Sequence, residues 1–439
     1  MTKTDPEVAP DQEAATSERA VGPHALLAIA FGLAMVANFA LTLLMGRMLD
    51  SSNFGTLGLL VAIFLFCSMP ASAISVMAVT RTAAWASAGD TAKIAAFKSR
   101  FTRRTSMVGG ILVIAAALSA PVLSDVFKVG SPAPIVLIAA AIAFWLILTV
   151  NRGVLQGMRL FNPLAASFVT EAVTRVGFAV IFVWVWRSAT AAAAGILVSA
   201  AVSWLATVPT IRSRVGPLPK PAPEVPIPRF GEAGTVIAAL AVIAWMQNAD
   251  VFAIKASVPA WEAGQYVATA TLGKAFFFFS LAAVTAMLPD ASEARGRAGR
   301  LRIAGRASGL VMLMAIPAIA VAFVVPEWIV TTVYGPDRAE MATWLGPIVI
   351  SSVFLSLTYL GANYLAAMGR SLYMPILALT GSAELLALLT VGERSIGHVV
   401  AVVIAANVIA TSAMAIDAMA ESRVELKAQG LGGFGESGA

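Results

Sequence analysis

The sequence has a single cysteine, Cys67, and two histidines, His24 and His398, among 439 residues. One cysteine excludes an internal disulfide framework and a cysteine-ligated metal cluster. The histidines stand near opposite ends of the chain beside expected helix ends, where a structural role is the simpler reading. No metal or cofactor is expected. Charge is scarce as well: 12% of residues are charged, against about 25% in a soluble domain. There is no Gly-rich phosphate loop, so nothing points to direct ATP drive. Short alternating strands of a β-barrel are not evident.

What is abundant is apolar sequence, with 59% hydrophobic residues and a mean hydropathy of +0.84. A chain of this kind reads as an all-α polytopic membrane protein, since a spanning segment must satisfy its own backbone hydrogen bonds. Runs of roughly 20 apolar residues cover the ~30 Å hydrocarbon core. Twelve are expected, near Leu26–Met45, Phe54–Thr80, Val108–Val126, Ile135–Val150, Leu164–Trp186, Ala191–Thr210, Thr235–Ile254, Tyr266–Leu288, Leu310–Val325, Ile348–Ala366, Met374–Val391 and Val399–Ala420. Pro70 lies inside the second.

The net charge of +6 is distributed as a topology signal and not as a nucleic-acid stripe. Lys93, Lys98, Arg100, Arg103 and Arg104 follow span two, Arg152 and Arg159 span four, and Arg212, Arg214, Lys220 and Arg229 span six. Arg295, Arg297, Arg300, Arg302 and Arg306 follow span eight, Arg370 span ten, and Arg423 and Lys427 span twelve. The other loops carry mostly single cations: Arg47, Lys128, Arg187, Lys255, Arg338 and Arg394. By the positive-inside rule both termini are cytoplasmic. Residues 1–21 are polar and acidic-leaning, expected as a disordered tail. Residues 22–212 form one six-helix lobe and 232–420 a second. Between them, residues 213–231 form a linker dense in proline, favouring an extended spacer. Residues 421–439 form a flexible tail ending in the Gly-rich QGLGGFGESGA.

The lobes read as copies. Phe54-Gly55 opens span two as Ala263-Gly264 opens span eight, 209 residues on. Pro121 and Gly130 match Pro326 and Gly335 at an offset of 205, and Pro163 matches Pro375 at 212. Glu171 and Glu384 fall at the same depth of spans five and eleven, 213 apart. Six spans per copy make a parallel repeat, about an axis normal to the membrane with a cleft between the lobes.

Two stretches carry a family resemblance. GRMLDSSNFGTLGLLVAIFLF resembles the entrance to span two of polysaccharide flippases, with Leu57 where that family often has tyrosine. NADVFAIKASVPAWEAGQYVATATL resembles the Asp-led, Gly-x-Tyr-containing signature of their spans seven and eight. WIVTTVYGPDRAEMATWL and LAAMGR are similar to later segments. The family is the Wzx-like oligosaccharide-flippase branch of the multidrug/oligosaccharidyl-lipid/polysaccharide (MOP) exporter superfamily. The resemblance implies a MATE-like pair of six-helix lobes that opens alternately inward and outward.

Intramembrane polar residues are the functional candidates, because a charge at the bilayer centre costs roughly 2.5–3.5 kcal/mol or more. Lys274 lies about 18 Å into span eight, near the midplane, where an ammonium can face a phosphate or pair with Asp250. Glu171 and Arg175 are four residues apart on one helical face. They read as a structural pair, or as an ion-coupling carboxylate beside a substrate-binding guanidinium. Glu384 has no cation four residues away and is the stronger ion-coupling candidate. Asn248, Asp250, Arg47 and Arg81 complete the substrate-path candidates. Asn38, Gln247, Asn363 and Asn407 suit sugar hydroxyls or helix pinning. Phe276–Phe279 read as lipid-facing and packing bulk.

The expected function is flipping a polyprenyl-(pyro)phosphate-linked oligosaccharide from the inner to the outer leaflet of the cell membrane, for cell-surface polysaccharide synthesis. Its partners would be the lipid-linked oligosaccharide, H+ or Na+ as coupling ion, membrane lipids, and polymerase and glycosyltransferases. No nucleic acid is expected. The alternatives are a multidrug antiporter of the same superfamily, which needs an acidic N-terminal cavity, and a membrane-embedded glycan polymerase or transferase. The latter needs catalytic groups in large outer loops, which the sequence lacks.

Overall fold

Each apolar run folds as an α-helix, the form that satisfies every amide within its own segment. The computed structural model describes residues 11–227, 234–293, 297–367, 372–390 and 395–432. The first half contains α1 (Asp11–Met48), α2 (Ser51–Ser87), α3 (Thr91–Val126), α4 (Ala133–Gly157), α5 (Phe161–Trp186) and α6 (Ala189–Val215). The second contains α7 (Gly234–Ser257), α8 (Ala260–Glu293), α9 (Arg297–Val324), a short α10 (Pro326–Tyr334) and a 3-10 stretch (Pro336–Trp344). It continues with α11 (Leu345–Ala367), α12 (Tyr373–Thr390) and α13 (Ile396–Gly432). Eleven of the described helices are long and apolar enough to cross a membrane. With α8 there are twelve long helices, six to a lobe.

Polar caps mark the turns. Asp50 accepts from the Asn53 amide at 3.0 Å to start α2, Asp90 from Lys93 at 3.0 Å to start α3, and Ser188 from Ala191 at 3.2 Å to start α6. Each satisfies an amide that has no partner within its helix. Apolar side chains also cover the outside, with Leu118 78%, Leu379 73% and Trp184 70% exposed. In water such a surface would aggregate; in a bilayer it faces lipid.

Both ends differ from expectation. Helix α1 begins at Asp11, inside the stretch read as a disordered tail, and α13 continues past Ala420 to Gly432. DQEAATSERA and SRVELKAQ are rich in strong helix formers, which extend an adjoining helix without needing a core. The first residues of the linker, 213–215, are the end of α6; 216–227 are non-helical, and Val225 and Ile227 pack on the Phe97–Phe101 cluster of the first lobe. Its residues 228–231 lie outside the described residues, as do Arg229, Arg295, Arg370 and Arg394. The segment after α9, read as a short loop, folds as α10 and the 3-10 stretch.

Helix α2 packs on both α7 and α8 and so joins the lobes. The repeat-matched Phe54-Gly55 and Ala263-Gly264 meet each other there. A Cβ on Gly55 would stand 2.9 Å from the Gly264 nitrogen, and one on Gly264 would overlap the Ser51 carbonyl. Equivalent residues can touch only where a two-fold axis passes between them. The axis generates a second matched pair of contacts. Lys128, after α3, donates from Nζ to the Val258 carbonyl after α7 (2.8 Å). In mirrored sense Arg47, ending α1, donates to the Val333 and Thr332 carbonyls of α10 (2.6 and 2.5 Å). Arg338 closes the same end, donating to the Gly46 and Leu49 carbonyls (3.2 and 2.6 Å) with its guanidinium 5.2 Å from the Phe54 ring.

Gly264→Ala is expected to force this joint apart, an overpacking cost of about 1–3 kcal/mol. Cysteine accessibility at Ser51 should rise and thermal stability fall, whereas Gly32→Ala, with open space around it, should change neither.

Candidate functional site

Among the described residues, each lobe buries an ion-paired cluster. In the first, Glu171 of α5 sits between two arginines. Arg152 of α4 donates from Nη1 to Glu171 Oε2 at 2.6 Å, and Arg175 donates from Nη2 to Glu171 Oε1. Arg152 also holds the Ser167 hydroxyl (3.0 Å) and carbonyl (2.8 Å), with Phe168 4.1 Å beneath its guanidinium. Arg175 donates to Asn38 Oδ1 of α1 at 2.9 Å and lies 5.3 Å from the Phe64 ring centroid. Both oxygens of Glu171 are therefore occupied, and the cluster carries one surplus positive charge when all three are ionised. Arg152 was grouped with loop cations in the sequence. The structure places it inside α4, only 7% exposed. An arginine near a span end reads as a topology marker unless its acidic partner, 19 residues away, is already known.

The second lobe builds differently. Lys274 of α8 places Nζ 2.6 Å from Asp250 Oδ1 of α7, and the Tyr266 hydroxyl donates to Asp250 Oδ2 at 2.7 Å. The helical rise put Asp250 nearer the outer end than Lys274, but the four-carbon lysine stem spans the difference. Lys274 also lines a narrow cavity within the lobe, with Gln247, Asp250, Tyr266, Phe277 and Ser351 among its walls. Glu384 of α12 lies 2% exposed in the field of Asp250 and Lys274, with the Trp245 indole N–H as its nearest donor and no ion pair to either oxygen. The Gln247 amide is buried without a hydrogen-bond partner.

The matched glutamates thus stand in unlike surroundings. Glu171 would have to release two guanidiniums before taking a proton or cation; Glu384 has no ion pair to release.

The other candidates disperse. Asn248 and Asn363 donate to carbonyls of their own helices, Ala244 and Tyr359, each at 2.8 Å. Asn407 ties α13 to α11 through Ser351 Oγ at 3.0 Å. Arg47 belongs to the inter-lobe joint, and Arg81 is half-buried in α2. Phe276 and Phe277 are buried, correcting the lipid-facing part of their reading. His398 bonds Ser395 at the start of α13.

A family model described as "Polysaccharide biosynthesis protein" matches residues 44–343. The chain belongs to that family. It is the Wzx-like branch that the two motif stretches resemble. A search of curated proteins finds no sequence match. Among solved structures, the chain is similar to an inward-facing multidrug resistance MATE family transporter of the MOP superfamily. The TM-score is 0.70 at 11% identity, covering 89% of this chain and 96% of that one. It is also similar to the lipid II flippase MurJ in an inward closed conformation, with TM-score 0.66, 11% identity and coverage of 89% and 87%. A third likeness is to the MATE transporter VcmN of Vibrio cholerae, with TM-score 0.58, 16% identity and coverage of 94% and 98%. These establish the two-lobed fold.

Removing one member of a buried ion pair costs about 3–5 kcal/mol, because the other is left uncompensated. Lys274→Met alone is therefore expected to lower the melting temperature in detergent. Adding Asp250→Asn should recover most of the loss. A double variant no more stable than the single would show that the two charges do not depend on each other.

Proposed function

We propose that the protein flips a polyprenyl-(pyro)phosphate-linked oligosaccharide from the inner to the outer leaflet of the cell membrane by alternating access, with both termini cytoplasmic. The observation that carries this reading is Lys274, a cation held beside a cavity at mid-depth of a chain in the polysaccharide-biosynthesis family. The head group would cross between the lobes while its lipid tail stays in hydrocarbon. Lys274 and Arg175 would meet the phosphate and the buried amides the sugar. With the cell interior negative, outward passage of an anion is favoured by about 2.3 kcal/mol per charge per 100 mV.

Glu384 is the coupling residue in this reading, because it can take up and release a cation without breaking an ion pair. The ion would be a proton, since the Lys274 ammonium already occupies the cation position at Asp250. Export of organic cations is less well supported. The acidic N-terminal cavity it needs is represented by Glu171, which two arginines enclose.

Deleting the gene should cause a lipid-linked glycan to accumulate in the inner leaflet, identified by mass spectrometry of extracted lipids. Unchanged lipid-linked glycans together with altered dye sensitivity would sink the flippase reading. The Asp250→Asn, Lys274→Met double variant should insert normally but fail to complement the deletion. Glu384→Gln should retain substrate binding and lose any response to an imposed pH gradient, measured in proteoliposomes.

A further inference from the structure

The charged contacts across the joined end of the lobes are cations resting on backbone carbonyls. Arg47 crosses from the first lobe to the last carbonyls of α10, and Lys128 to the carbonyl just past α7. Arg338 crosses back to the last carbonyls of α1. Helix C-termini carry partial negative charge, so each contact is favourable. None of the three hydrogen-bonds a carboxylate, though Asp50 and Asp337 stand in the electrostatic field of Arg338. A cation held by a carbonyl is held less firmly than one held by a full charge, and exchanges readily for an anion. Two cationic nitrogens at this end have no hydrogen-bond partner: Arg338 Nη1, in a residue 4% exposed, and Lys255 Nζ, in a residue 0% exposed. Lys255 stands in the electrostatic field of Lys128. A buried, unpaired ammonium beside another cation destabilises the joined state, which is unexpected in a residue that serves only to hold it together.

We propose that this end of the cleft is an anion-receiving gate. As the lobes part, Arg47, Lys128 and Arg338 leave their carbonyls and, with Lys255, take the oxygens of a phosphate or pyrophosphate group. The inference rests on the flippase reading for the direction of traffic only. It adds a second station to the path, distinct from Lys274, at which the head group is received before release.

The test uses full-length protein in phosphatidylcholine nanodiscs, so that the bilayer supplies no anionic head group. Spin labels are placed at Ser131→Cys and Trp261→Cys, three residues from Lys128 and Val258, on a Cys67→Ser background. Farnesyl pyrophosphate should add a longer-distance population. The same change with inorganic pyrophosphate would mean that the charged group alone is recognised; its absence there would mean that the group must be lipid-borne, and either supports the gate. Lys255→Met should weaken the half-saturating concentration at least tenfold at an unchanged or higher melting temperature, and Lys255→Arg should keep the response. No distance change with either anion, or a Lys255→Met protein that responds like its parent, would overturn the proposal. Complementation is not the readout, so failure of the flippase reading in a deletion strain leaves this result standing.

Discussion

Everything in this protein is arranged around the cost of placing charge in hydrocarbon. A lone ion there is so unfavourable that a chain keeps one only with partners or with a use for it. The first lobe supplies partners: Glu171 between Arg152 and Arg175, with Ser167 and Asn38 taking further guanidinium protons. The second lobe supplies a lysine and a tyrosine for Asp250 but only the neutral Trp245 indole for Glu384. Two copies of one fold therefore carry unequal electrostatics: one glutamate is enclosed by two guanidiniums and the other has no ion pair.

The two-fold relation has a cost at its own axis. Whatever residue lies there meets its counterpart, so the space available is that of a backbone and nothing more. Glycine at 55 and 264 satisfies this, and α2 can then cross the lobe boundary tightly enough to pack on α7 and α8 together. The copies have diverged around this point. Where the first lobe runs α3 unbroken past Pro121, the second stops at Val324 and restarts as α10. The 3-10 stretch that follows carries Arg338 back across the joint.

Much of the fold was legible because hydrocarbon leaves so few options. Length, apolarity and the alternation of loop charge led to twelve long helices, and the repeat offsets to a two-fold whose axial residues now touch. The pairing of Glu171 with Arg175 was also readable, since four residues is one helical turn. The Lys274–Asp250 bond was considered but not assigned, because rise per residue measures a backbone and ignores the reach of a lysine. Arg152, Arg338, Lys128 and Lys255 were read as topology markers. Their partners lie on other helices, and no local pattern distinguishes a cation that anchors at the interface from one that folds inward. Helix at both ends of the chain was missed for the opposite reason: polar sequence suggested a coil where helix propensity was high.

The docked linker sets a mechanical limit on the whole machine. Val225 and Ile227 are fastened to the first lobe, and α7 begins at Gly234. Only seven peptide steps separate that anchor from the second lobe, and at about 3.5 Å per step they reach roughly 25 Å whatever their path. The chain is thus its own leash: it caps how widely the two halves can swing apart at that end, and so the girth of any cargo admitted there.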